Sequence, residues 1–324
     1  MMVADQSTKS QALGLQKSRS GSKLKRLWNN RILLLMCFPA ILFFLIFSYI
    51  PMPGAYIAFV NFNYRAGIFR SEFVGFKNFE FLVANGQLLQ LTYNTVLYNI
   101  AFIITGSIAQ IALALMLNEV KGRLFKKTSQ TFMFLPYFIS FVLVGLFTYN
   151  LFSYDTGLIN TLLASSGAEK IKFYSEASYW PTILILINLW KGTGYGSVVY
   201  LAAIMSLDSA IVEAADIDGA NEFQKIRYII LPWLKPTFVI LTLFAVGGIL
   251  KGNFGLFYNT VGANNVALYD ATDIIETFVF RSLMTNFNFS LGSAVGLYQS
   301  FIGFLLVMAA NWMVKRIEPD YALF

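Results

Sequence analysis

Six long apolar runs, separated by shorter polar segments, dominate the 324-residue chain. A helix that crosses the hydrocarbon core of a bilayer needs about 20 predominantly apolar residues, and each run is long enough. We therefore predict an all-α, polytopic membrane protein with six transmembrane helices. The predicted spans are residues 32–55, 96–117, 132–152, 181–205, 237–257 and 290–314.

A polar island interrupts this pattern between the fourth and fifth runs, with the sequence EAADIDGANEFQKIRYIILP at 213–232. Asp208 or Ser209 is suited to cap a short helix that ends near Ile217, because a side-chain oxygen can satisfy the free amides of a first turn. Gly219 then permits a backbone turn that a side chain would hinder.

A second helix follows this turn in the prediction. Asn221 can cap it, and Gln224 three residues later completes a near capping-box pattern. We expect the helix to run to Ile230 and Pro232 to end it before the fifth span, because proline lacks the amide that a helix interior needs. The island is thus predicted to form a helix–turn–helix elbow. By pattern alone this elbow is either a docking surface or an amphipathic connector at the membrane interface.

Composition agrees with a membrane protein and excludes several kinds of chemistry. Hydrophobic residues make up 57% of the chain and charged residues only 13%, about half the share of a typical soluble domain. The chain has no histidine, which excludes a Ser-His-Asp triad and histidine base catalysis. Its one cysteine, Cys37, lies in an apolar run and is interpreted as a packing residue.

The basic residues predict the orientation in the membrane. Residues 1–31 form a basic tail, which we interpret as a topology anchor before an uncleaved first span and not as a nucleic-acid-binding segment. If the tail is cytoplasmic, sixteen basic residues lie in inner segments and six in outer segments. Because cytoplasmic loops carry an excess of Lys and Arg, both termini and the island are predicted to be cytoplasmic.

The island also contains the pattern E-A-A, three residues, G, nine residues, I-x-L-P, found in the loop of permease subunits of ABC importers. The matching residues are Glu213, Ala214, Ala215, Gly219, Ile229, Leu231 and Pro232. Further blocks resemble the sugar-importer branch: PMPGAY at 51–56, FVGFKNF at 73–79, Asn94-Thr95, YLAAIMSLD at 200–208, IDGA at 217–220, DIIETFVFR at 273–281 and FSLGSAVG at 289–296. Residues 32–324 therefore resemble a type I ABC sugar importer permease, and most of all the first of two permease subunits of a bacterial alginate importer.

This resemblance implies a multi-pass protein of the bacterial inner membrane, surrounded by lipid. A cytoplasmic dimer of ATP-binding-cassette ATPases would hold the coupling loop at 207–235 and would contain the ATP and magnesium. A second, different permease would complete the pore, and an extracytoplasmic binding protein would deliver the sugar. The coupling residues would be Glu213, Ala214, Ala215, Asp216, Asp218 and Gly219. The chain has no G-x-x-x-x-G-K-[ST] sequence, so we expect it to be a non-catalytic subunit that binds no cofactor.

Two lysines within the predicted spans are candidate substrate contacts. Lys191 and Lys251 would lie toward the outer half of the membrane, where a buried charge suggests function. Two cations would suit an anionic sugar such as a uronate. Alternatively, each lysine snorkels to the interface or pairs with a carboxylate. The polar or aromatic neighbours that complete this candidate set are Asn188, Trp190, Tyr195 and Asn253.

Glycines near these lysines permit two interpretations. Gly192, Gly194 and Gly196 either allow close helix packing or interrupt the fourth span and expose its backbone. Two other classes of protein were compared with the importer permease. An ion-coupled secondary transporter is disfavoured because the span cores contain no acidic residue and the chain has no internal repeat. A membrane-embedded enzyme is disfavoured because no histidine or paired carboxylates lie within the predicted spans.

Overall fold

The computed structural model describes residues 30–262 and 264–317, and this part of the chain is almost entirely helical. Four of its helices are long and apolar enough to cross a membrane, and the number is six if each of two bent helix pairs counts as one span. The all-α fold class is therefore confirmed. A two-stranded antiparallel pair is the exception among the described residues, with Val60 opposite Phe73 and Asn61 opposite Glu72.

The elements follow in chain order. The α-helices are α1 Arg31–Phe44, α2 Lys77–Ala84, α3 Gln87–Glu119, α4 Arg123–Phe138, α5 Phe141–Phe152, α6 Leu158–Ser165, α7 Trp180–Met205, α8 Ser209–Ile217, α9 Glu222–Lys225, α10 Leu231–Gly247, α11 Phe254–Val261, α12 Tyr269–Thr272, α13 Ile275–Met284 and α14 Phe289–Ile317. The strands are β1 Val60–Asn61 and β2 Glu72–Phe73. Two π segments are Leu45–Tyr49 and Ile226–Ile230, and the 3₁₀ segments are Met52–Phe59, Phe173–Ser175, Ala177–Tyr179 and Val266–Leu268.

The chain divides into two compact units, with the boundary between Gly54 and Ala55. In the first unit, α1 contains Pro39 and continues into the π segment Leu45–Tyr49. This helical run falls within the predicted first span. In the second unit, α3 packs along α7, and both agree with the predicted second and fourth spans within a few residues at most ends. The main difference is that α3 begins nine residues before the predicted start.

The predicted third span, 132–152, is not one straight helix. It consists of the end of α4 and all of α5, which meet at a bend of 91°. Pro136 lies near the end of α4, and Ser140 caps α5 by accepting a hydrogen bond from the Leu143 amide. The bend has a local cause, because proline removes a helical hydrogen bond and a serine cap starts a new helix.

The helix at the predicted fifth span, 237–257, differs from the predicted range at both ends. The helix begins at Glu222, inside the elbow, and continues without interruption to Gly247. Pro232 does not stop it, because the π turn Ile226–Ile230 ends just before the proline, with only Leu231 between them. Such turns accommodate the missing amide of proline within a helix. The chain then leaves helical structure until α11 begins at Phe254.

The packed interior of the second unit contains three clusters of buried apolar side chains. One is centred on Trp180 and Phe257, a second on Leu91 and Ile275, and a third on Tyr200 and Leu234. The third cluster joins α3, α7 and the start of α10, so it places the root of the elbow against the main helix pair.

Polar side chains of α3 form hydrogen bonds with the segment that connects α11 to α14. The Asn94 amide donates to the carbonyls of Asp270 and Asp273, and the Thr95 hydroxyl accepts from the Ile275 amide. The blocks Asn94-Thr95 and 273–281, which the resemblance singled out separately, are therefore one structural contact. The short helix α13 covers most of the second block.

Candidate functional site

The elbow has the local structure that its sequence predicts. The Asp208 carboxylate accepts a 3.0 Å hydrogen bond from the Ala210 amide and so caps α8. Gly219 has a φ of +78°, a left-handed conformation that favours glycine. Asn221 and Gln224 form the predicted capping box, with hydrogen bonds of 2.9 and 2.7 Å. The two coupling helices are therefore each capped and meet at the glycine.

Lys225 forms ion pairs with two of the acidic residues of the elbow. Its ammonium lies 2.8 Å from the Asp216 carboxylate and 2.7 Å from the Glu222 carboxylate. The lysine itself is buried, whereas Glu213 and Asp218 are exposed. The negative charge offered to a partner therefore comes mainly from Glu213 and Asp218.

Apolar side chains also project from the elbow into the surroundings. Ile217 is 87% exposed, and Phe223 and Tyr228 are 68% and 69% exposed. Ala214 and Gly219, two of the predicted coupling residues, are exposed as well. Large exposed apolar side chains beside small residues are typical of a surface that binds another protein. The sequence analysis named the small and acidic residues of this surface but not these three large ones.

A cavity of about 640 Å³ lies at the bend between α4 and α5. Three of the six predicted substrate-pathway residues line it, namely Asn188, Lys191 and Asn253. The cavity wall opposite them is the bend itself, residues 137–141. The structure therefore brings three of the four polar members of the predicted set together at one cavity, and Lys251 is the fourth.

Lys191 has different partners from those considered in the sequence analysis. Its ammonium donates hydrogen bonds to the carbonyls of Pro136 at 3.2 Å, Tyr137 at 2.8 Å and Ile139. It also lies 4.8 Å from the centre of the Phe141 ring. A cation at the end of α4 is favourable because the last carbonyls of a helix carry partial negative charge. Lys191 therefore holds the bend and turns its charge toward backbone carbonyls.

The aromatic candidates have separate places. The Tyr195 ring stacks on Tyr137, with centroids 4.3 Å apart and an angle of 10°, so it also supports the bend. Trp190 is half exposed and lines two further grooves beside α4 and α5, not the cavity of Lys191. At Gly194 an added Cβ would lie 1.8 Å from the Met133 carbonyl. α7 is continuous here, so this glycine serves close helix packing.

The break between α10 and α11 contains Lys251 and is held by distant side chains. Asn99 donates to the carbonyls of Ile249 and Lys251, at 2.9 and 3.1 Å. Gln299 donates to the Leu250 carbonyl at 2.5 Å. Irregular backbone at membrane depth needs such partners, because lipid offers none. Lys251 thus lies in this break and not within a helix, and its side chain is exposed.

Glu276 completes the support of the break from α13. Its Oε1 atom accepts hydrogen bonds of 2.7 Å from the Gly252 amide and from Gln299. Its Oε2 atom is buried without a hydrogen-bond partner. α13 lies outside the six candidate spans, and burial raises the pKa of Glu276, while its hydrogen bonds and Lys251 oppose this shift. An added Cβ at Gly252 would lie 2.5 Å from Oε2, so the glycine allows the close approach.

The sequence analysis missed Asn99, Gln299 and Glu276. A signal was available for the first two, because each is a polar residue inside a predicted apolar span. Such residues within membrane helices usually face the protein interior and find partners there. The carbonyls that they bind in the break lie 49 to 152 positions away along the chain, so sequence spacing does not reveal them.

Comparison with known proteins identifies the family. Residues 103–322, which include the elbow, the cavity and the break, match the model of the binding-protein-dependent transport system inner membrane component. The chain belongs to this family. It is a permease, the membrane component of an ABC importer, as the resemblance predicted.

Relatives and solved structures match this permease along nearly its full length. It is 33% identical to protein LplB of Bacillus subtilis, with 92% of this chain and 93% of the relative aligned. It is 35% identical to the polygalacturonan/rhamnogalacturonan transport system permease protein YteP of the same organism, with 95% of each chain aligned.

A crystal structure of a bacterial ABC transporter that imports the acidic polysaccharide alginate contains a similar chain. That chain has 32% identity and a TM-score of 0.81, covering 91% of this permease and 99% of its own length. Another structure of a bacterial alginate transporter includes its alginate-bound periplasmic protein, with the same TM-score and 92% and 98% coverage. The permease therefore shares both the family and the detailed fold of these importers.

Proposed function

We propose that this permease transports an acidic oligosaccharide across the bacterial inner membrane. An extracytoplasmic binding protein delivers the sugar, and a separate ATPase drives its movement. The observation that carries the proposal is the similarity over more than nine-tenths of the chain to permeases of acidic-polysaccharide transporters. Alginate and polygalacturonan are both polymers of uronic acids, so a carboxylate on each sugar is their common feature.

The cavity beside the α4–α5 bend supports this proposal. Lys191 places a positive charge at its edge, and Asn188 and Asn253 offer amides that can bind hydroxyl groups. Tyr137 adds an aromatic side chain to the lining, and aromatic rings are suited to pack on sugar rings. Because Lys191 is bound to three carbonyls, its charge acts mainly through the field in the cavity.

The elbow supports the separate ATPase. Its exposed Ile217 and Phe223, together with Glu213 and Asp218, form a mixed apolar and acidic surface on two capped helices. An ATPase dimer would hold one such elbow on each of two different permeases and would contain the ATP and magnesium. The excess of Lys and Arg in the inner segments supports a cytoplasmic location for the elbow and both termini, on the side where that ATPase would bind.

Uptake into vesicles tests the substrate class. The permease, its partner permease, the ATPase and the cognate binding protein are reconstituted together. Uptake of an alginate pentasaccharide and a pentamer of galacturonate is compared with that of maltopentaose, a neutral sugar of equal length. We expect uptake of at least one acidic sugar and none of the neutral one. Uptake of the neutral pentamer alone would overturn the proposal.

Purification tests the partners. A tagged chain, isolated from its native membrane in mild detergent, should bring down an ATPase and a second, different permease. Recovery of this permease as an active single chain would contradict the proposed assembly. Recovery with a second copy of itself would contradict the proposed pairing of two different permeases.

A further inference from the structure

We propose that Lys225 is a positioning residue that locks α8 to the long helix Glu222–Gly247. This helix would then transmit the full movement of the elbow to the break beside the substrate cavity. This inference rests on the proposed function, because it assumes that an ATPase moves the elbow. It assigns a mechanical role to a residue outside the set predicted to contact the ATPase.

Three charged groups meet at the elbow. Asp216 lies in the last turn of α8, and Glu222 and Lys225 lie in the first turn of the second helix. The Lys225 ammonium contacts both carboxylates, at 2.8 and 2.7 Å. Its side chain is only 10% exposed, while those of Asp216 and Glu222 are 54% and 65% exposed.

Other hydrogen bonds of the elbow lie within one helix or the other. The amides of Gly219 and Ala220 donate back to α8, to Asp216 and Ala215, and so complete its C-terminal end. The capping box joins Asn221 to Gln224 within the second helix. Among the described residues, the hydrogen bond from Lys225 to Asp216 crosses from one helix to the other. Without it, the left-handed turn at Gly219 is free to act as a hinge.

The second helix extends far from the elbow. It has 26 residues, from Glu222 to Gly247, and is therefore about 39 Å long. Its far end leads directly into the break, where Asn99 and Gln299 hold the backbone. Asn253, the residue before α11, lines the substrate cavity. One uninterrupted helix thus runs from the lysine contact at the elbow to the break, and the break leads on to Asn253 in the wall of the cavity.

A buried ammonium makes this contact firmer than an ordinary surface ion pair. Exposed ion pairs contribute little, because water screens them and their side chains are free to move. Lys225 is enclosed by the elbow and keeps both carboxylates at hydrogen-bond distance. Its side chain is only 10% exposed, against 54% for Asp216, so the acidic residues are the more accessible groups for an ATPase.

The experiment removes the two ion pairs of Lys225 one at a time in the complete reconstituted complex. Asp216→Ala removes the bond that crosses the turn, whereas Glu222→Ala, the matched control, removes only the bond within the second helix. Uptake of alginate pentasaccharide and ATP hydrolysis are measured on the same vesicles. We expect Asp216→Ala and Lys225→Met to lower sugar uptake per ATP by about fivefold or more, the usual range of coupling between sites. Sugar uptake per ATP in Glu222→Ala should stay close to that of the unmodified complex. Asp216→Glu, which keeps the carboxylate, should also keep normal uptake per ATP.

A distance measurement separates a lock from a direct ATPase contact. Cys37, the one native cysteine, is replaced by serine, and spin labels are attached at Ile211→Cys and Tyr228→Cys, both exposed positions. The distance distribution between the labels should be narrow in the unmodified complex and broad after Asp216→Ala or Lys225→Met. This broadening should also appear without ATP, when no movement is driven.

Three outcomes decide the inference. A narrow distribution and unchanged uptake per ATP in both Asp216→Ala and Lys225→Met would overturn it. Loss of coupling with a narrow distribution would also overturn it, because Asp216 would then act by touching the ATPase. Failure of the unmodified permease to retain an ATPase would instead disprove the proposed function, and the spin-label distances would still report whether Lys225 locks the elbow.

Discussion

The two ends of the helix Glu222–Gly247 are built in different ways. At the elbow, the cap residues Asp208 and Asn221 bind backbone groups two or three residues away, and Lys225 reaches nine residues back. At the break beyond Gly247, the backbone is held by Asn99, Gln299 and Glu276, which lie 24 to 152 residues from their partners. One end is therefore stabilised locally and the other by the assembled bundle.

Exposure to water explains the difference. Backbone groups at the elbow are near the surface, so a short-range cap adds stability but water can replace it. At the break, lipid and packed side chains offer no replacement, and each free carbonyl would be costly. Irregular backbone in the interior therefore depends on distant side chains. The α4–α5 bend follows the same rule with a single residue, since Lys191 binds three of its carbonyls.

The largest expected effect comes from removing the cation at the bend. Lys191→Met would leave the carbonyls of Pro136, Tyr137 and Ile139 without this partner. We expect a loss of about 2–3 kcal/mol in the free energy of unfolding, followed through the thermal stability of the purified complex. Lys251→Met is the matched control, because its side chain is exposed. Equal stability of the two variants would contradict the assignment of Lys191 to the bend.

A smaller effect is expected at the break. Asn99→Leu removes the donor to the carbonyls of Ile249 and Lys251, and we expect a loss of about 2 kcal/mol, measured in the same way. Asn150→Leu is the control, because the Asn150 amide binds only the Leu146 carbonyl of its own helix. If both leucine variants were equally stable, the break would not depend on distant side chains.

A substitution at the elbow should lower the free energy of unfolding less than those at the bend and the break. Gly219→Ala places a side chain at a φ of +78° and should cost about 1 kcal/mol. Gly167→Ala has the same strain at a φ of +77°, in an open loop away from the elbow. We expect similar losses of thermal stability in both variants, but reduced co-purification of the ATPase only for Gly219→Ala. Reduced ATPase binding in both would indicate a general loss of structure.

The smallest stability effect is expected for Lys251→Met, at about 0.5 kcal/mol or less. Its exposed charge lies in the break that leads to Asn253 and the cavity. Uptake of alginate pentasaccharide should fall about two- to fivefold, the range expected for one exposed charge interaction. Initial uptake rates at equal protein give the comparison. Unchanged uptake of the acidic sugar would remove Lys251 from the substrate pathway.

Much of the elbow was predictable because its determinants are close together in the chain. Asp208, Gly219, Asn221 and Gln224 act within three residues of their own positions, and all four have their predicted roles. The exception was Pro232, which was expected to end the second helix. The preceding π turn lets the helix continue, and this turn was not predicted from the local pattern.

The candidate substrate site was predicted less completely. Asn188, Lys191 and Asn253 do meet at one cavity, but Trp190 faces other grooves and Tyr195 supports the bend. A charge in an apolar run indicates that a partner exists without identifying it. For Lys191 the partners are carbonyls 52 to 55 residues away, exposed by a bend in another helix.

The sequence by itself determined the class of protein, its all-α fold, the capped elbow and the family, because apolar run length, capping residues and a loop motif are all short-range features. Only the tertiary structure decided that the elbow and the fifth span share one helix, that Lys191 serves the bend, and that Asn99, Gln299 and Glu276 support the break. The physical reason is that buried polar groups must find partners, and in a helical bundle those partners come from whichever helix packs beside them.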